Sequence, residues 1–330
     1  MIPSWPPKAL AEPRHRSSGW FWTAIAQACA VTWSMSADAR NLFGAVEAGG
    51  TKFVLAIGNG HDEIVAQTQI PTTTPDETLQ RAIEWFQGQG GIAALGIASF
   101  GPVDLDPASP TWGSITDTPK PGWSQARVAA RLGAALGCPV GLDTDVNGAA
   151  IGEYQHGAAK GCDVAIYVTV GTGIGGGAII GGATIKGSRH PEMGHVMLRR
   201  HPQDLGFAGA CPVHGDCLEG LASGPAIKAR WGATLSDLAP DHLAHEIIAD
   251  YLAQLCQTLI ALYSPQRIIL GGGVLQTAGL LDKVRARAAA YAGSYFGVLA
   301  DEIIVAPGLG TRSGIVGAFE LAKKAVNVEI

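Results

Sequence analysis

Charge is scarce in this 330-residue chain: Asp, Glu, Lys and Arg make up 15% of it, and the net charge is −5. No run of lysines and arginines forms a basic stripe, which argues against a nucleic-acid partner. Long apolar runs are missing too. The nearest to one, GWFWTAIAQACAV after Arg14 and Arg16, is too short to span a bilayer. Cysteine is sparse, six residues in all, and only Cys211 and Cys217 lie close together, with a histidine between them. In a chain of this length the pattern speaks for a metal site in a reducing compartment rather than a disulfide framework.

Apolar residues make up 47% of the chain, enough for a sizeable core and comfortable for two domains. The 45 glycines cluster at the ends of apolar runs, as tight turns and close backbone approach to a ligand require. Residues 1–41 stand apart as a leader, rich in Pro and Trp and without a helical or strand period. They read as a dispensable extension, with Met35 an alternative start, or as a faint likeness of a signal peptide.

Regular patterning begins at Leu42. LFGAVEAGGTKFVLAIGNG predicts a β-hairpin and EIVAQTQIP a third strand. TPDETLQRAIEWFQGQ predicts a helix capped by Thr74, with Pro75 in its first turn, Glu77 completing a capping box, and Leu79, Ala82, Ile83 and Phe86 facing the core. IAALGIASFGPVDL reads as a buried strand, and SQARVAARLGAALG as a helix from Ser124 to Gly137. CPVGLDTDVNGAAIGEYQHG reads as a strand leading into a helix. DVAIYVTVGTGIGGGAIIGG then repeats the opening device, so the chain reads as two hairpin-led α/β halves. A helix over about Asp241–Tyr263, the strands RIILGGGV and EIIVAPGLG, and the helix GIVGAFELAKKAV complete it.

Three glycine turns follow β-rich runs: Gly49-Gly50-Thr51-Lys52, Gly171-Thr172-Gly173 and Gly271-Gly272-Gly273. Backbone N–H groups in such turns converge on an anion. None fits the P-loop or a dinucleotide-binding unit. Asp143 and Asp145 end a strand, where open α/β sheets bind ligands. A carboxylate there can take a proton from an attacking alcohol; the competing reading is that Asp145 or Asn147 caps the next helix. Cys211, His214 and Cys217, with two residues between each and the next, supply three zinc-type ligands, and His195 can supply a fourth, with His190 and His201 as competitors. Four protein ligands leave no place for water, so the site is structural. It would pin Glu192 and Glu219, which flank it, for hydrogen bonding to a sugar, and its loss would weaken nucleotide binding less, because the glycine turns lie elsewhere in the chain.

The motifs EAGGTK, TDVNGAAIGE, VTVGTGIGGG, HPEMGH, CPVHGDCLEGLASGPAI and ILGGGV occur in the order seen in ROK-family sugar kinases, and the chain from about Phe43 onward resembles that family. The resemblance implies a duplicated, two-lobed α/β fold of the ribonuclease-H-like (actin and hexokinase) type with a zinc-binding loop over 190–220. It implies a small lobe over 42–143, completed by a helix at 312–330, and a large lobe over 144–311. It implies Asp145 as catalytic base, and Thr144, Glu192, His195, Glu219, Gly101 and Lys120 as sugar contacts. ATP would lie against Gly49–Lys52, Gly171–Gly173, Gly224, Pro225 and Gly271–Val274. Zn²⁺ would be structural on His195, Cys211, His214 and Cys217, and Mg²⁺ would accompany ATP.

Two departures matter. Thr144 stands where many members have Asn, and His214 where many have a third cysteine at the zinc. With TPKPGW (Thr118–Trp123) they look like the bacterial fructokinase branch. The expectation is a cytoplasmic homodimer that phosphorylates fructose, binding neither nucleic acid nor membrane. The rivals are a kinase for mannose or glucose, a non-catalytic sugar sensor, and a zinc hydrolase, which four protein ligands argue against.

Overall fold

The structure, a computed structural model, describes residues 42–296 and 300–326; the leader call over 1–41 lies outside them. The first half of the described chain gives β1 (Phe43–Ala48), β2 (Lys52–Gly58), β3 (Ile64–Pro71), α1 (Pro75–Gln89), β4 (Leu95–Ser99), α2 (Val128–Leu136), β5 (Val140–Thr144) and α3 (Asp145–His156). The second gives β6 (Val164–Val170), β7 (Ile174–Ile180), β8 (Ala183–Thr184), α4 (Leu218–Ala222), α5 (Gly224–Trp231), α6 (Ala244–Tyr263), β9 (Arg267–Gly271), α7 (Leu280–Ala292), α8 (Ala300–Ile303), β10 (Ile304–Val305) and α9 (Ser313–Val326).

The strands form two five-stranded sheets, ordered β3-β2-β1-β4-β5 and β10-β9-β6-β7-β8. Each is an antiparallel three-strand meander extended by two parallel strands on the far side of its first strand. The second sheet repeats the topology of the first, as the repeated hairpin device predicts. β4 is buried along its length because helices cover both faces of a parallel strand, whereas edge strand β3 alternates half-buried and exposed residues.

Local details differ from the sequence reading where tertiary partners intervene. Thr74 caps α1 through the Glu77 N–H, but the Glu77 carboxylate accepts from the Thr73 hydroxyl and pairs with Arg81, so the capping box is not closed. α2 starts at Val128, after Ser124 has paired with Thr118 instead of capping it. Gly137 stops α2 in the left-handed conformation as expected. The strand expected in EIIVAPGLG shrinks to Ile304–Val305 because α8 takes up its start.

α3 and α9 cross between the sheets with their backbones in contact. A Cβ on Gly317 would collide with the carbonyl of Gly148, and one on Gly152 with that of Ser313. α9 also lies flat on the first sheet: a Cβ on Gly96 of β4 would strike the carbonyl of Ala318. Interiors this dense transmit position from one element to the next. Glu153 of α3, fully buried, fastens the same crossing. It accepts from the N–H groups of Ala158, Gly308 and Leu309 and from the Ser313 hydroxyl, at 2.7–3.0 Å. Among the described residues no helix is long and apolar enough to cross a membrane.

Candidate functional site

The N-terminus of α3 carries the central carboxylate. The Thr144 hydroxyl caps the helix by accepting the Asn147 N–H at 3.1 Å, so neither Asp145 nor Asn147 is the cap. Thr144, the expected sugar contact, is 3% exposed, and its hydroxyl accepts the cap bond. Asp143 beneath it is also buried. It accepts from the Thr144 N–H, the Asn147 amide and, from β8 of the other lobe, the Thr184 hydroxyl at 3.0 Å. Asp145 accepts only its neighbour's N–H, from Val146 at 2.9 Å, among the described side-chain bonds. Burial pushes its carboxyl up to about 6, and the nearby Glu192 charge pushes the same way.

Asp145 lines a cleft of about 470 Å³ together with Glu47, Lys52, Thr169 and Gly271–Gly273. Glu47 is a cleft residue that the sequence reading passed over. It is the next-to-last residue of β1, two before the first glycine turn; burial, then Asp145, push its carboxyl up to about 7, against the opposing pull of Lys52. The available signal was a lone acid in an otherwise apolar strand. Gly273 also lines a neighbouring cavity of about 680 Å³, shared with Gly171, Thr172, Gly224, Pro225, Lys228 and Val274. The expected nucleotide residues thus divide between two adjoining cavities. The exceptions are Gly49, Gly50, Thr51 and Gly173, which line neither; the first three make the β1–β2 turn, closed by Gly49 N–H to the Lys52 carbonyl at 3.0 Å.

His195, Cys211, His214 and Cys217 bring their ligand atoms within 4.8 Å of one another. His195 Nδ1 lies 3.4 Å from Cys217 Sγ, 3.9 Å from Cys211 Sγ and 3.3 Å from His214 Nδ1, and Cys211 Sγ lies 3.8 Å from His214 Nδ1. A tetrahedron with zinc bonds of about 2.0–2.3 Å has edges of about 3.3–3.8 Å, so the donor set and its spacing fit a closed four-ligand site. Burial, more than the neighbouring Cys211 thiol, pushes the Cys217 thiol up to about 11, so an incoming ion must displace its proton. The competing histidines lie elsewhere. His201 caps the turn Pro202–Asp204, and His190 Nε2 accepts the Val103 N–H.

The two flanking glutamates differ in their attachments. The Glu192 carbonyl accepts the His195 N–H at 3.0 Å, which puts Glu192 on the same tight turn as a metal ligand. Glu219 stands in the first turn of α4, two residues past Cys217, and its Oε2 accepts the Ile174 N–H at 2.9 Å. The Gly224 N–H donates to the Gly171 carbonyl at 2.8 Å. Through Glu219 the candidate metal loop is thus tied to the end of the second glycine turn, a link that their separation in the chain does not reveal. Gly101 lies against the His190 ring. Lys120 lies in the turn ending at Trp123, whose indole N–H is held by the Thr73 carbonyl; among the described residues no side-chain bond joins Lys120 to Asp145 or Glu192. Together these elements offer glycine turns able to hold an anion and a half-buried carboxylate able to take a proton from a hydroxyl.

A model of the ROK family matches residues 43–325. The chain is 50% identical to a fructokinase of Zymomonas mobilis over 296 residues, covering 87% of this chain and 98% of that protein. It is 43% identical to a fructokinase of Pediococcus pentosaceus over 286 residues, 86% of this chain and 99% of that one. The crystal structure of a ROK-family glucokinase from Streptomyces griseus, in complex with glucose and AMPPNP, superposes with a TM-score of 0.69 at 27% identity, covering 86% of this chain and 99% of that one.

Proposed function

The chain belongs to the ROK family, and from that premise we propose that it is a fructokinase, which transfers the γ-phosphoryl group of ATP to the 6-hydroxyl of D-fructose. The observation that carries this reading is Asp145, a half-buried carboxylate at the start of α3, facing the cleft that Gly271–Gly273 and Lys52 also line. The high identity to named fructokinases supports the choice of sugar. An intact base beside intact anion-holding turns speaks against a sensor that only binds.

Phosphoryl transfer demands chiefly positioning and charge stabilisation. The adenosine end of ATP lies in the larger cavity against Gly224, Pro225 and Val274, and its phosphates run past Gly273 toward Lys52. Glu47 and Asp145, two acids on one cleft, suit a hard divalent cation, and Mg²⁺ there would neutralise phosphate charge. Fructose lies between the Gly101 loop of one lobe and Glu192, His195 and Glu219 of the other. Asp145 takes the proton of the 6-hydroxyl as its oxygen attacks the γ-phosphorus, and ADP leaves. Zn²⁺ on His195, Cys211, His214 and Cys217 would hold Glu192 and Glu219 and take no part in the chemical step.

We take residues 42–143 with α9 as one lobe and 144–311 as the other, and place the enzyme in the cytoplasm, where ATP is abundant. We take it as a homodimer, a reading to which the exposed Met197, Leu205 and Val213 around the metal loop lend an apolar surface. A coupled ADP-release assay over a panel of hexoses tests the activity. Fructose should give the highest kcat/KM and fructose 6-phosphate as product; preference for glucose or mannose would replace the substrate, and no turnover of any hexose would refute the kinase reading.

A further inference from the structure

We propose that His190 is a positioning residue that fastens the two sugar-facing elements of the cleft, the Gly101–Val103 loop of the first lobe and the Glu192 segment of the second, into one unit. The proposal deepens the sugar-kinase reading and rests on it.

Val103 follows β4 in the first sheet, and His190 follows β8 in the second. The Val103 N–H donates to His190 Nε2 across 3.2 Å. A ring nitrogen that accepts carries no proton, so the neutral imidazole bears its N–H on Nδ1. Nδ1 faces Glu192 Oε1 at 3.4 Å. Both ring nitrogens are thereby assigned, one to each lobe. The His190 side chain is 7% exposed, while that of Glu192 is 48% exposed. A buried ring thus steers an accessible carboxylate.

The geometry around the ring leaves it little freedom. A Cβ on Gly101 would come within 3.6 Å of Nε2, so the loop backbone already lies against the imidazole. Pro191 separates His190 from Glu192 and stiffens the link between them. On its other side Glu192 is tied through its carbonyl to the N–H of the metal ligand His195. Glu192 is therefore gripped twice, by the metal turn through its backbone and by His190 through its carboxylate. Only the second grip crosses to the first lobe. It sets where the carboxylate stands relative to the Gly101 loop, and so the width of the sugar site.

The test compares full-length, metal-loaded His190→Ala and His190→Gln with the wild type. The Gln amide offers an acceptor and a donor at the spacing of the two ring nitrogens, so it can keep the Val103 hydrogen bond and the contact with Glu192. His190→Ala should raise the hexose KM roughly tenfold, the scale of one buried hydrogen bond left unmade, with the ATP KM changed by less than about twofold. His190→Gln should recover most of the loss. Without any substrate, hydrogen exchange at the Val103 amide should quicken in His190→Ala and stay near wild type in His190→Gln.

A hexose KM unchanged in His190→Ala overturns the proposal whatever the exchange shows. So does a parallel rise of both KM values with a lower melting temperature, which marks a general structural role. The wild-type hexose panel decides the substrate separately, and the KM comparison is made with whichever hexose the wild type phosphorylates. Should it phosphorylate none, the kinase reading falls and the exchange decides alone: unchanged exchange at Val103 refutes the bond, and quickened exchange restored by Gln upholds it.

Discussion

Glu219 Oε2 accepts the Ile174 N–H at 2.9 Å, and through that bond the metal loop reaches the Gly171–Gly173 turn. Cys217, the last residue of the metal cluster, immediately precedes the helix that carries Glu219. Loss of the metal should therefore be felt on both substrates. In Cys211→Ser we expect the metal content to fall from about one zinc per chain, as a closed four-ligand site holds, to near zero. The KM values for fructose and ATP should both rise, and the melting temperature should drop. A metal-free variant with an unaltered ATP KM would break the link through Ile174.

Asp145→Asn keeps the shape of the side chain and removes the base. Loss of a general base costs roughly 10²–10⁴-fold in rate, so kcat should fall by that much with fructose affinity, read by calorimetry, little changed. A variant retaining more than about a tenth of wild-type kcat would refute the assignment.

The same group sets a pH dependence. The folded pKa of Asp145 is about 6, above its ordinary 3.8, because burial disfavours the charged form and Glu192 adds to it. The base works ionised, so kcat/KM should be flat above about pH 6 and fall with acid below it. The sign for stability is the reverse. A carboxyl whose pKa rises on folding holds its proton more tightly when folded, so its ionisation costs stability as the pH climbs from about 4 to 6. Asp145→Asn should therefore melt no lower than wild type at pH 7. Thermal scans of both proteins at pH 5 and pH 7 measure this, and a markedly less stable variant at pH 7 would contradict it.

Gly317→Ala tests the helix crossing that holds Asp145 and the first sheet in register. The added methyl meets the Gly148 carbonyl, a backbone atom that cannot rotate away. Overpacking of this kind costs roughly 1–3 kcal/mol, so denaturant unfolding should show a clear loss of stability. Activity per folded molecule should fall as well, because Asp145 begins the helix that the added methyl would displace. Unchanged stability would mean that the helices separate without cost.

Glu153→Ala strands the N–H groups of Gly308 and Leu309, which the carboxylate now holds where the second sheet passes into α9. Hydrogen bonds to a charged group contribute about 1.5–3 kcal/mol each, so this variant should be among the least stable single changes in the protein. The expected signature is faster hydrogen exchange over 306–313 before global unfolding. Protection there equal to wild type would remove Glu153 from its anchoring role.

What the sequence determined by itself was local or repeated. The candidate metal cluster is legible because Cys211, His214 and Cys217 lie close together in the chain, where spacing alone brings donors together. The hairpins, the duplicated halves and the Thr74 cap are legible for the same reason: turn chemistry and strand alternation act over a few residues. Tertiary structure decided which acid does what. Glu47 and Asp145 are 98 positions apart in the chain and line one cleft only because β1 and β5 end on the same side of a sheet. Glu219 serves a glycine turn and His190 reaches Val103 rather than a metal, each through a partner distant in sequence. A side chain's chemistry is written in its residue type, but its pKa, its partner and its task depend on desolvation and on neighbours that only the packed chain supplies.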